Sequence, residues 1–184
     1  MTFNLQPFLA NEWVTLRPLK KEDFEALYKV ASDPLIWEQH PIKTRYQKEV
    51  FQDYFKEAME SGGAFAVFDS KTSELIGSSR FYDYGEADSS IIIGYTFLAR
   101  HCWGGKYNQS MKRLMLNHAF SFVDKVIFHV GETNIRSRKA LEKTGAVLTG
   151  MSDKVYSGGI AVHCVYEISK QKWISQLQSG NQLL

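Results

Sequence analysis

Phe97-Leu98-Ala99-Arg100-His101-Cys102-Trp103-Gly104-Gly105-Lys106-Tyr107-Asn108 reads as a strand end, a short loop and the first turn of a long helix. The residues before it, Ser89 to Leu98, are rich in β-branched and aromatic side chains and predict a strand. The residues after it carry Tyr107, Met111, Leu114, Met115, Ala119 and Phe122 at the spacing of an apolar helical stripe. Adjacent glycines leave backbone N–H groups uncovered, and the helix they open presents its own unpaired N–H groups with partial positive charge. Such a loop cradles an anion, and Arg100 and Lys106 flank it with further charge. A tight βα turn, whose glycines merely permit positive φ, fits the loop equally well.

Working outward, a compact strand follows at Val126 to Val130, then a helix capped by Asn134, running through Thr144 and stopped by Gly145. Strand, helix, strand, helix in this order makes Ser89 to Leu98 and Val126 to Val130 parallel neighbours. Towards the N-terminus, Ala64 to Phe68 and Glu74 to Tyr84 are strands joined to Ser89–Leu98 by short turns, so these pairs run antiparallel. Trp13 to Leu19 alternates as a first strand. Helices are predicted at Lys21 to Ser32, ended by Asp33-Pro34, and at Tyr46 to Met59, ended by Ser61-Gly62-Gly63. Val147 to Tyr156 and Ile160 to Ser169 close the sheet as a hairpin over Ser157-Gly158-Gly159. The expected fold is α+β, one domain over residues 1–184, with a mixed, mostly antiparallel sheet of about seven strands and helices on both faces.

Bulk properties narrow the function. With 44% hydrophobic residues, a chain of 184 buries a core without a metal or disulfide. Net charge is +2, well below the clustered charge of a nucleic-acid binder, and the basic runs Lys112-Arg113 and Arg136 to Lys139 read as solvated helix surface or phosphate contacts. Cys102 and Cys164 are far apart, with no Cys/His cluster, so neither a disulfide framework nor a metal site is expected. The N-terminal residues lack a charged segment followed by an apolar run, and no window approaches about 18 apolar residues, so neither export nor a membrane partner is expected. A reducing, cytoplasmic location fits these features.

Four segments in register carry a family resemblance: Ile93-Gly94-Tyr95-Thr96-Phe97-Leu98; Trp103 to Asn108; Asn134-Ile135-Arg136-Ser137; and Leu141-Glu142-Lys143-Thr144-Gly145-Ala146. Together they resemble the GNAT acetyltransferases. Val14-Thr15-Leu16-Arg17-Pro18-Leu19 and Tyr166-Glu167-Ile168 before Trp173 resemble the branch that acetylates ribosomal-protein N-termini. The resemblance implies acetyl-CoA as co-substrate, in a cleft where the two central parallel strands splay apart, and a primary amine as acceptor. It implies that the backbone of Phe97 and Leu98 pairs with the pantetheine arm, that the run Trp103, Gly104, Gly105, Lys106, Tyr107, Asn108 wraps the pyrophosphate, with Arg100 as the flanking charge already noted, and that Asn134 contacts the pantetheine. Ser137, one turn into the helix, is placed near the sulfur. It also implies that homodimers are common among look-alikes.

The chain departs from the family pattern in two places. Lys106 stands where a second spaced glycine is common, and Ile91-Ile92-Ile93 stand where many relatives carry an acidic residue as base. Transfer to an amine needs an oxyanion donor, a base and a proton for the leaving thiolate. A backbone N–H near Leu98 and the Ser137 hydroxyl are candidates for the first and last. Asn134 and Ser137 are explained as well by helix capping and an exposed first turn. The base stays open: Glu132 and His129 lie at the end of the parallel strand, but a strand-interior histidine is more often a core residue. Cys102 reads as incidental and Cys164 as core; Trp37, Phe81, Tyr82 and Tyr84 are candidates for an acceptor pocket or for packing. The missing carboxylate favours, as the alternative, a non-catalytic acyl-CoA-binding module.

Overall fold

The computed structural model describes residues 3–156 and 159–179. One mixed sheet of eight strands runs through it in the order β1 (Leu9–Ala10), β2 (Val14–Pro18), β3 (Ala64–Asp69), β4 (Leu75–Gly85), β5 (Ser90–Leu98), β6 (Lys125–Gly131), β8 (Gly159–Ser169), β7 (Val147–Tyr156). Every neighbouring pair is antiparallel except β5 and β6, the expected parallel pair. The extra strand, β1, is only two residues long and borders β2 at the sheet edge, too short to show a period of two. Of the expected turn at 157–159, Ser157 and Gly158 lie outside the described residues, and Gly159 opens β8.

The helices divide between the faces. α1 (Phe24–Ala31), entered through a 3₁₀ turn at Lys21–Asp23, and α2 (Lys48–Glu60), preceded by a 3₁₀ turn at Lys43–Tyr46, cover one face. Their Leu27, Phe51 and Tyr54 pack with Trp37 and Phe97 into one apolar cluster. α3 (Lys106–Ala119), α4 (Ile135–Glu142) and α5 (Lys170–Gln178) supply Met111, Met115, Leu141 and Trp173 to a second cluster with the opposite side of the strands. Each fully buried side chain of this size contributes roughly 1.5–3 kcal/mol. α5 has no counterpart among the expected elements. Within Lys170–Gln178 only Trp173, Ile174 and Leu177 are large and apolar, and Trp173 alone is buried, so the helix rests on one ring and a Ser169 cap. Among the described residues no helix is long and apolar enough to cross a membrane.

Two details of β5 shape everything that follows. Ser78 of β4 faces Phe97 while Arg80 faces Gly94, so two residues, Tyr95 and Thr96, oppose the single Ser79. This is a β-bulge, and Tyr95 occupies it with φ +52°, a left-handed conformation costly for an aromatic residue. The Tyr54 hydroxyl holds it by donating to the Tyr95 carbonyl at 2.9 Å. The parallel ladder joins only Ser90, Ile91 and Ile92 to Lys125, Val126 and Ile127. Beyond those rungs the strands separate, Val126 to Gly131 remaining paired on their other side with β8.

Candidate active site

The gap between β5 and β6 is a cleft of about 430 Å³, lined by residues from both faces of the sheet, Trp37 and Arg45 on one and Asn108, Lys112 and Ser137 on the other. One end is bounded by the loop after β5 and the first turns of α3 and α4. The Trp103 indole N–H donates to the Leu98 carbonyl at 2.9 Å, and the Arg136 guanidinium lies 3.7 Å above the Trp103 ring. Arg136 also donates to Glu38 Oε1 and to the Ile36 carbonyl, so the start of α4 is tied to the segment between α1 and α2. Gly104 has φ +68°, and a Cβ added there meets nothing within 4 Å. Gly105 is the N-cap of α3, and among the described residues no side chain caps that helix, so its first-turn amides lack a capping partner.

Of the residues singled out in the sequence, Phe97, Leu98, Trp103, Gly104, Gly105, Asn108, Asn134 and Ser137 all line this cleft. Asn134 is also the α4 cap, its Oδ1 accepting from the Ser137 N–H at 3.2 Å, so capping and cleft-lining coexist in one side chain. The side chains of three others point elsewhere. Arg100 is ion-paired with Asp33, Lys106 lies 4.8 Å from the Trp13 ring, and Tyr107 donates to Asp69 Oδ2 at 2.6 Å. At the first turn of α3, Lys106 and Tyr107 therefore offer amides, not side chains. Trp37 and Tyr82 line the cleft as pocket candidates, whereas Phe81 is core and Tyr84 packs against it. Burial pushes the Cys102 thiol up to about 11, which leaves it unreactive.

Several lining residues escaped sequence reasoning. Lys112, read there as helix surface or a phosphate contact, is 6% exposed; its neighbour Arg113 is the solvated one. Lys112 Nζ donates to Thr96 Oγ1 in the bulge at 3.0 Å and lies 5.3 Å from the Phe128 ring. Burial alone lowers its pKa to about 7. Its position just after Met111 on a stripe of period 3.6 is the signal that was available. His129 is not a core histidine but faces the cleft, its pKa lowered first by burial and then by Lys154 and His163. At the far end stand His40, Arg45, Tyr95, Lys154, Tyr156 and His163, brought together from four separate segments. Alternation along β7 and β8 placed Lys154, Tyr156 and His163 on one side, but nothing in the sequence said which side met a cleft. Among the described residues no His/Cys/Asp/Glu group could hold a metal ion.

Residues 14–147 match the acetyltransferase (GNAT) domain. That span is most of the chain. The chain belongs to the GNAT family. Solved structures share its fold: a GCN5-related N-acetyltransferase from Brucella melitensis is 17% identical, with a TM-score of 0.83 over 95% of this chain and 83% of that one. RimJ from Mycobacterium smegmatis, in complex with CoA-disulfide, is 19% identical at a TM-score of 0.69, covering 91% of this chain and 89% of that one. Spermidine N-acetyltransferase from Vibrio cholerae, in complex with CoA and spermine, is 17% identical at 0.69, covering 89% and 99%. At these identities the likeness concerns the GNAT fold alone, and it accounts for the mixed sheet and its divided parallel pair.

Proposed function

We propose that this chain is an acetyl-CoA-dependent N-acetyltransferase that moves the acetyl group to a primary amine by direct attack in a ternary complex. The carrying observation is the cleft between β5 and β6, with the uncapped start of α3 at one end, Ser137 on its wall and a separate group of polar side chains at the other end, where we place the acceptor. Acetyl-CoA is assigned to the end with the glycine loop, where a Cβ added at Gly104 would meet nothing within 4 Å and where Lys139 and Lys143 line the cleft. Bound there, it supplies an activated acetyl thioester.

The residues then divide the work. Amides of Gly104 to Asn108 hold the diphosphate. The edge of β5 at Phe97 and Leu98 orients the pantetheine through the backbone; the Leu98 carbonyl is already engaged by Trp103, and a backbone N–H near Leu98 stabilises the oxyanion. Asn134 contacts the pantetheine while capping α4. Ser137 gives the leaving thiolate its proton; among the described residues its hydroxyl has no other partner. Lys112, neutral for a substantial fraction of the time near pH 7, accepts the proton from the incoming ammonium, filling the place left by Ile91-Ile92-Ile93. Protein or peptide N-termini, as in the branch whose segments this chain resembles, and small amines are both acceptors of this chemistry. The two free, buried cysteines agree with the reducing cytoplasm.

Calorimetric titration with acetyl-CoA and CoA, followed by thiol release against a panel of amines, tests the reading. Micromolar binding with turnover on at least one amine is expected, and Ser137→Ala should lower turnover at least tenfold with CoA affinity kept. Binding without turnover on any amine would favour the non-catalytic module, and unchanged turnover in Ser137→Ala would remove that residue's role.

A further inference from the structure

The far mouth of the cleft carries an unusual balance of charge. Away from the glycine loop Arg45 and Lys154 line the cleft, and among the described residues no aspartate or glutamate lines any part of it. Behind Tyr95 lies Arg80, 4% exposed, with its guanidinium 4.0 Å from that ring and 5.7 Å from the Tyr54 ring. Among the described residues its Nε and one Nη have no hydrogen-bond partner. Arg45, 5% exposed, covers the other side of the same aromatic group, 5.0 Å from the Tyr54 ring and 5.6 Å from the Trp37 ring. Among the described residues neither arginine is in an ion pair.

Arg45 is also poorly served by His40, its one hydrogen-bond contact among the described residues. Its Nη1 stands 3.0 Å from His40 Nε2, but His40 Nδ1 already accepts from the Ile42 N–H at 2.9 Å. A neutral imidazole has one lone pair to offer, so it cannot accept from both. Glu57 and Asp83, the carboxylates that act on this region from a distance, lie outside the lining. The histidines add no negative charge. His163 donates from Nδ1 to the Ala161 carbonyl and accepts the Tyr156 hydroxyl at Nε2, as a neutral ring does.

A buried guanidinium lacking an anion is costly, and it repels a second cation strongly in a low-dielectric cleft. We infer that the amine acceptor carries an anion of its own, a carboxylate or phosphate, which Arg45 and Lys154 bind at the mouth away from the glycine loop. Arg80 sets the field behind them. This rests on the acetyltransferase reading for the word acceptor, but the anion site itself does not. A polyamine, with cations at every spacing, is the wrong substrate for such a mouth.

Calorimetry on protein saturated with CoA, which occupies the diphosphate loop, tests the inference with matched probes: glucosamine 6-phosphate against glucosamine, serine against serinamide, and spermidine. The anion-bearing member of at least one pair should bind tenfold or more tightly than the counterpart that lacks the anion, the two pairs separating phosphate from carboxylate. Spermidine should not bind. Arg45→Met should weaken the anionic probe at least tenfold without changing CoA affinity. Lys154→Met, at a half-exposed position, should weaken it several-fold, and serves if the arginine variant does not fold. Equal or tighter binding of the members that lack the anion or of spermidine overturns the inference, as does anion binding untouched by the substitutions. Thiol release with the same probes is read separately: anion binding without turnover sinks the enzyme assignment and leaves this site standing.

Discussion

At Lys112 an ammonium is enclosed between Thr96 and the Phe128 ring, and among the described residues no carboxylate is paired with it. Its pKa falls from 10.5 to about 7, so the folded protein binds the proton less readily than the unfolded chain does. Between those two values the unfolded state holds more protons, and stability therefore rises with pH. Replacing the side chain in Lys112→Met removes this dependence. The variant should be more stable than the parent, the difference growing by about 1.4 kcal/mol per unit as pH falls from 10.5 towards 7 and levelling off below. Denaturant midpoints across that range check this, and an unchanged difference would show the lysine solvated. Turnover should fall in the same variant, because the proton acceptor is gone. The sequence held part of this story. Asn134 and Ser137 were legible because capping residues and a first-turn hydroxyl are local features; Lys112 left only the trace of its place beside Met111, and Arg45 none, since burial of a long cationic side chain depends on what packs over it.

The bulge in β5 is an element-scale device, and Gly77 of β4 is what lets the strand beyond it lie close. A Cβ at Gly77 stands 2.1 Å from the Phe97 carbonyl oxygen and 2.8 Å from the Leu98 side chain. The nearest obstacle is backbone, which cannot turn aside as a side chain does. Gly77→Ala should therefore push Phe97 and Leu98 towards the cleft. The expected result is a destabilisation of about 1–3 kcal/mol from overpacking, together with weaker CoA binding. Gly150, where an added Cβ meets nothing within 4 Å, is the control: Ala there should leave CoA binding untouched. Thermal melts and calorimetry on the two variants separate packing from a general dislike of alanine. At this scale most of the fold was readable. Seven strands, the parallel pair and four of the five α-helices follow from periods and turns, because each is long enough to repeat. β1 and α5 were hidden by their short or nearly featureless patterns, and the bulge by the lack of any local sequence mark for a left-handed tyrosine.

Across the whole molecule, the two apolar clusters meet along the cleft. Phe97 belongs to the one built on α1 and α2, its neighbour Leu98 to the one built on α3 and α5, and Trp103 touches both. Beyond three residue pairs β5 and β6 are unpaired with each other, so among the longer strands this seam has the fewest hydrogen bonds to lose. A molecule that fills the opening and bonds to β5 and to the α3 amides would bind the folded state and not the unfolded chain. By mass action, CoA at one hundred times its dissociation constant should add about 2.7 kcal/mol. For a chain of this size that corresponds to a rise in melting temperature of roughly 5–10 °C. Gly105→Pro removes an amide at the head of α3 from the proposed cradle, so its melting temperature should respond much less to CoA. A parent protein whose melting is indifferent to CoA would mean that the seam is held by its own side chains, and the acyl-CoA reading would go with it.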